Sequence, residues 1–130
     1  MLSPHEIIKQ VAKLVNQGNT CYINRKNRKV VTIAVDHEGS LDAELTIEKW
    51  IIVPPMPKQT MGFVMKDFLE EVTDSSVKKE LTNALRRKNP QRNFTQVIES
   101  SIEVGQHWRR FRAEQCEEYV RQVFIDEYNH

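Results

Sequence analysis

Thr20-Cys21-Tyr22-Ile23-Asn24-Arg25-Lys26-Asn27-Arg28-Lys29-Val30-Val31-Thr32-Ile33-Ala34-Val35 is the stretch that decides the fold class. Its two ends, 20–24 and 29–35, are short and rich in β-branched and aromatic side chains, which suit a pleated, half-buried surface. The four polar residues between them make a turn, so the economical reading is an antiparallel hairpin. The residues before this hairpin have a different period. Ser3-Pro4-His5-Glu6 has the form of a capping box, with Pro4 already at the φ of a first helical residue. Ile7, Ile8, Val11, Leu14 and Val15 then share one helical face, and Gly18 offers a stop. A helix is expected from about Pro4 to Gln17.

Beyond the hairpin, 36–40 reads as a loop. Leu41, Ala43, Leu45 and Ile47 alternate, which hints at a further strand. Glu48-Lys49-Trp50-Ile51-Ile52-Val53 is a better strand, halted by Pro54 and Pro55. One long strand over 44–53 is the alternative. Everything after Pro57 has helical spacing. Met61, Met65, Phe68, Leu69 and Val72 form one apolar stripe. Asp74 or Ser75 can cap a next helix carrying Val77, Leu81, Ala84 and Leu85, which Asn89-Pro90 breaks. Phe94, Val97 and Ile98 mark a shorter helix that ends near Ser100-Ser101. A last helix is expected from about Gly105 to Tyr128, with Trp108, Phe111, Tyr119, Val120, Val123 and Phe124 inward. The sum is an α+β fold: a small antiparallel sheet of three to four strands, an N-terminal helix, and a C-terminal half of about four helices packed on the sheet. A single domain over 1–130 is expected, with helix and sheet in 1–55 and the helical half in 56–130.

Composition limits the function classes. With 39% apolar and 28% charged residues over 130 positions, the chain can bury a core without disulfide or metal staples. The formal net charge is +1, so overall charge selects no partner. No run approaches the roughly 20 apolar residues of a membrane span, and no basic head followed by an apolar run marks a secretory signal. Cys21 and Cys116 stand in no recurring spacing and read as free thiols in a reducing, cytoplasmic setting.

The second half resembles a known family on four motifs taken in order. These are Lys66-Asp67-Phe68-Leu69-Glu70, Leu81-Thr82-Asn83-Ala84-Leu85, Arg92-Asn93-Phe94-Thr95-Gln96-Val97-Ile98, and His107-Trp108-Arg109-Arg110-Phe111-Arg112. Together they resemble the bacterial uncharacterised protein family 0158 over roughly Trp50 to Phe124, with a weaker echo at Tyr22-Ile23-Asn24. Members of that family usually carry a more basic segment before the residue matching Phe94; here it reads Asn89-Pro90-Gln91-Arg92-Asn93. The resemblance implies a bacterial α+β domain and lends no catalytic residues.

Two basic clusters are the candidate sites. Arg25, Lys26, Arg28 and Lys29 lie on the hairpin tip, and Arg86, Arg87, Lys88 and Arg92 flank a helix end. Joined in space, they would bind phosphates of a nucleic acid, with Tyr22 as a stacking surface. The simpler reading is solvated turns and cations that suit a helix C-terminus. Charge is uneven in a way that supports the simpler reading. Residues 1–35 hold six Lys or Arg against one Glu, whereas 36–48 hold five acids and no Lys or Arg, so one stretch could neutralise the other.

Asp36-His37-Glu38 invites a metal, but consecutive side chains rarely converge on one ion, and no His-x-x-x-His or Cys-x-x-Cys spacing exists. His107 and Cys116 are nine residues apart on one predicted helix, about 13 Å of rise, too far to act as base and nucleophile together. With four glycines the chain has no phosphate-binding fingerprint. Trp108 and Phe111 could stack on a ligand, yet core anchors packing against the sheet and against Phe94 are favoured. Met56, Met61 and Met65 could line an adaptable binding surface, with core gap-filling favoured. Arg109, Arg110 and Arg112 are expected to face outward or sideways, and Arg110 to pair with Glu114.

No catalytic residue, metal set or cofactor is assigned from these residues. The leading expectation is a non-enzymatic domain that binds another protein or itself. The alternatives are weak, salt-dependent nucleic-acid binding and an enzyme using His37 or His107 with a nearby carboxylate.

Overall fold

The computed structural model describes residues 3–33 and 50–128. The first helix, α1 (Pro4–Asn16), starts on the expected capping box. Ser3 Oγ accepts from the Glu6 N–H at 3.2 Å, and Glu6 Oε2 accepts from the Ser3 N–H at 3.2 Å. Gln17 is its C-cap, and Gly18 follows at φ +97°, a left-handed conformation that costs glycine little. That geometry lets the Asn19 N–H reach the Leu14 carbonyl at 3.1 Å.

The hairpin forms as β1 (Thr20–Asn24) and β2 (Val30–Ile33), antiparallel, with Tyr22 opposite Val31. Its turn is held by asparagines. Asn24 Oδ1 accepts from the Lys26 and Asn27 N–H groups, and Asn27 Oδ1 from that of Lys29. Arg28 takes a left-handed φ of +62° at the end of the turn, and its N–H donates to the Asn24 carbonyl at 2.8 Å. A third strand, β3 (Trp50–Val53), pairs antiparallel with the other side of β1, giving the order β2-β1-β3. The candidate strand at Leu41–Ile47 and the loop carrying Asp36-His37-Glu38 lie outside the described residues, as do Ala34 and Val35 at the end of the second predicted strand.

Four further helices follow: α2 (Lys58–Leu69), α3 (Ser75–Arg86), α4 (Pro90–Glu99) and α5 (Ile102–Tyr128). Asp74 is the cap of α3, accepting from the Ser76 and Val77 N–H groups at 2.9 and 3.2 Å. Asn89, at φ +58°, turns the chain into Pro90 at the first position of α4. The last helix begins earlier than expected, at Ile102 instead of about Gly105. Ser101 supplies the start: its carbonyl accepts from the Gly105 N–H at 2.9 Å and its Oγ from the Val104 N–H at 3.4 Å. Gly105 is buried inside the first turns, where a Cβ would stand 3.4 Å from the Ile98 carbonyl oxygen.

The chain divides into two compact units, Met1–Met56 with Gln115–His130, and Pro57–Glu114. The expected division assigns all of 56–130 to the helical half; the turns of α5 from Gln115 onward group instead with the sheet. The sheet unit buries Ile7, Val11 and Val15 of α1 with Cys21, Ile23, Ile51 and Val53 of the sheet and Cys116, Val120 and Phe124 of α5. The helical unit buries Val64, Met65 and Phe68 of α2, Val72, Leu81 and Ala84, Phe94 and Ile98 of α4, and Trp108 of α5.

Candidate functional site

The basic hairpin tip is held by its own unit. Arg25 donates to Glu127 Oε2 at 2.7 Å and to the Glu127 carbonyl at 3.3 Å, tying the turn to the end of α5. Lys26 and Lys29 are exposed, and Arg28 is half-buried. The second cluster lies in the helical unit and fans out around the α3–α4 connection. Arg87 lines a groove between α3 and α4, whereas Arg92 lines a different cleft, of about 420 Å³, with Lys58, Asn89, Pro90 and Gln91. Arg86 and Lys88 are exposed, and the Lys88 carbonyl accepts from Asn93 Nδ2 at 2.7 Å.

Of the rings of the terminal motif, Trp108 is buried and packs on Phe94 as expected, whereas Phe111 is half-buried. Phe94 is fully buried and packs edge-on against Trp108 with centroids 5.0 Å apart. The hub of this cluster, which the sequence does not single out, is Phe68. It is fully buried and meets Trp108 at 5.2 Å, Phe111 at 5.4 Å and His107 at 4.9 Å. Its helical spacing with Met65 signals burial but gives no indication of its partners. Met65 is buried, while Met56 and Met61 are half-buried.

His107 lies beside two carboxylates without engaging them. It lines a shallow cleft of about 230 Å³ with Glu71, Arg110, Phe111 and Glu114. Among the described residues no hydrogen bond or ion pair joins His107 to Glu71 or Glu114, and no group of three His, Cys, Asp or Glu side chains is placed to hold a metal. The expected pair of Arg110 with Glu114 does not form; among the described residues the pair within this helix is Arg121 with Glu118 at 2.7 Å. Arg112 is half-buried, as a sideways position implies, and its Nε is buried with no hydrogen-bond partner among the described residues.

The two thiols come together around one turn of α1. Cys21 Sγ lies 3.9 Å from the Val11 carbonyl and Cys116 Sγ 3.4 Å from that of Ala12. Burial, and secondarily the charge of Cys116, pushes the Cys21 thiol up to about 11, so it is protonated and inert at neutral pH.

The groove lined by Arg87 runs between α3 and α4. Its volume is about 350 Å³, within the range of ligand clefts. Both helices present the same spacing to it. Glu80, Asn83, Ala84 and Arg87 come from α3 and its C-cap, and Asn93, Gln96, Val97 and Ser100 from α4 and its C-cap. In each set the positions run i, i+3, i+4, i+7, one face of a helix, with a small apolar residue at i+4. The floor is therefore Ala84 and Val97, and the walls are polar. Glu80, Asn83, Arg87 and Gln96 are exposed, and their side chains have no hydrogen-bond partner among the described residues.

Comparison with known proteins fits this architecture to a family. The model of the Uncharacterised protein family (UPF0158) matches residues 1–127. The chain belongs to this family. The UPF0158 match takes in α1 and the sheet as well as the helical unit, and so is wider than the motif resemblance over Trp50–Phe124. No curated protein and no solved structure matches the chain. Membership of UPF0158 names no reaction. Among the described residues no helix is long and apolar enough to cross a membrane.

Proposed function

We propose that the protein is a non-enzymatic interaction domain of a bacterial cytoplasm, and that the α3–α4 groove is the surface that receives its protein partner. The observation that carries this reading is the groove itself: hydrogen-bonding walls whose exposed side chains have no partner among the described residues, above an apolar floor. Carboxamides such as Asn83 and Gln96 donate and accept at once, which matches peptide groups better than it matches a purely anionic polymer. The large apolar side chains that stand in solvent, Phe63, Ile102 and Ile125, sit on α2 and at opposite ends of α5. Such scattered residues need no partner to explain them. Nucleic-acid binding through the basic clusters is the competing reading. The commitment of Arg25 to Glu127 weakens it on the hairpin side.

The test places a photo-crosslinking residue at Gln96 and, as a control, at Glu117, in the full chain inside cells. The expected outcome is a protein captured from position 96 and not from 117. Once purified, that partner should bind the wild type and lose at least tenfold in affinity to Arg87→Glu. Equal capture from both positions, or a purified partner indifferent to Arg87→Glu, overturns the proposal.

A further inference from the structure

The groove has a length and a polarity, and both constrain what fills it. A three-residue connection, Arg87 to Asn89, returns the chain from α3 into α4 as a helical hairpin. Arg87 and Asn93 therefore share the end beside the connection, and Glu80 and Ser100 share the far end. From Glu80 to Arg87 is seven residues, about 10 Å of helix rise. An extended chain covers that distance in about three residues. Charge runs along the same axis, with a guanidinium at one end and a carboxylate at the other.

We infer, resting on the reading just proposed, that the α3–α4 groove takes the last three residues of a partner protein in extended form, with the terminal carboxylate on Arg87. The planar guanidinium offers a fork of donors that pairs a carboxylate bidentately. Among the residues lining the groove, the one carboxylate, Glu80, stands at the opposite end and leaves that fork unopposed. Asn83 and Gln96, one from each wall, are placed midway to donate to and accept from the backbone of the penultimate residues. The shallow floor of Ala84 and Val97 admits small side chains. Glu80 then selects a Lys or Arg, or at least disfavours an acid, where the bound chain leaves the groove. An internal segment would fill the same length but would bring no carboxylate to Arg87, which is why a chain end fits better.

The experiment uses the full protein and a pooled array of decapeptides varied over their last three residues, each made as free acid and as C-terminal amide. Free-acid peptides are expected to bind, and amidation or Arg87→Ala to weaken the best of them at least tenfold. Their backbone-amide NMR shifts should fall on Asn83, Ala84, Gln96 and Val97. Asn83→Ala should weaken both peptide forms alike, because it acts on backbone and not on the terminus. Arg87 and Asn83 are exposed, so both variants keep the wild-type circular dichroism spectrum. Equal binding of acid and amide overturns the inference, as does no binding by any peptide. So does a single-stranded oligonucleotide that shifts the same resonances at lower concentration. If crosslinking from Gln96 still captures a partner through an internal segment, the interaction reading survives and the terminal-carboxylate inference alone fails.

Discussion

The sheet unit and the helical unit solve the same problem with different materials. The sheet unit closes on aliphatic side chains and two buried thiols, drawn from α1, a three-stranded sheet and the end of α5. The helical unit closes on interlocked rings, with Phe68, Phe94 and Trp108 at its centre. The same contrast extends to charge. In the sheet unit the first basic residue of the hairpin turn, Arg25, is tied to Glu127. In the helical unit Arg87 and Glu80 face a groove and have no partner among the described residues. The lesson is that a charged cluster in a sequence signals function only where the fold leaves it unsatisfied. That contrast between Arg25 and Arg87 is what favours the α3–α4 groove in the proposed reading.

The strongest way to break this contrast is to hollow out the ring cluster. Phe68→Ala removes the hub from a fully buried site and is expected to cost about 3–5 kcal/mol. Each unit has its own tryptophan, Trp50 in the sheet unit and Trp108 in the helical unit. Denaturant unfolding followed in Trp50→Phe, where only Trp108 reports, measures the loss. A cost below about 1 kcal/mol would mean that the aromatic cluster does not hold the helical unit.

The thiols sharpen the comparison through pH. Cys21 has its folded pKa raised from 9.0 to about 11 by burial. The unfolded chain therefore loses this proton first, so stability is intact below about pH 9 and falls as pH rises toward 11. The fall is on the order of 2–3 kcal/mol, because each pH unit between the unfolded and folded values is worth about 1.4 kcal/mol. Tyr119 is raised for the same first cause, burial, and adds a loss of the same sign above its ordinary value of 10.0. Urea midpoints between about pH 8 and 11 should decline in the wild type and decline less in Cys21→Ala. Parallel slopes in the two proteins would count against the thiol as the titrating group.

The smallest effect concerns the first helix. Ser3→Ala removes half of the capping box and is expected to cost about 1 kcal/mol. The loss should appear in a fluorescence transition reported by Trp50, read in Trp108→Phe as background. Restoration by Ser3→Asp would confirm that the cap, and not the side-chain volume, carries the effect.

Much of the fold is legible in the sequence because it is written in short range. The capping box at Ser3–Glu6, the stop at Gly18, the hairpin turn and the break at Asn89-Pro90 each depend on residues close to one another in the chain, and all appear as expected. The start of α5 is placed three residues late, because the first turn is set by Ser101, whose Oγ and carbonyl accept from the Val104 and Gly105 N–H groups, and apolar spacing does not register such polar contacts. The pair of Arg110 with Glu114 fails because helical spacing makes such pairs reachable but does not compel them. The groove escapes notice in the sequence even though its eight residues repeat one spacing on two helices. Periodicity follows apolar stripes, and this stripe is polar.

The order of residues by itself determined which segments coil, which extend, where each stops, and which side chains seek the interior. Those outcomes follow from backbone sterics and from the 3.6- and two-residue periods, which act along the chain. Only the tertiary structure decided that Cys21 and Cys116 approach adjacent carbonyls of α1, that Phe68 is the hub of the rings, and that the faces of α3 and α4 leave a groove. Such outcomes depend on which faces meet, and contacts between segments distant in sequence are set by the joint packing of all the faces at once.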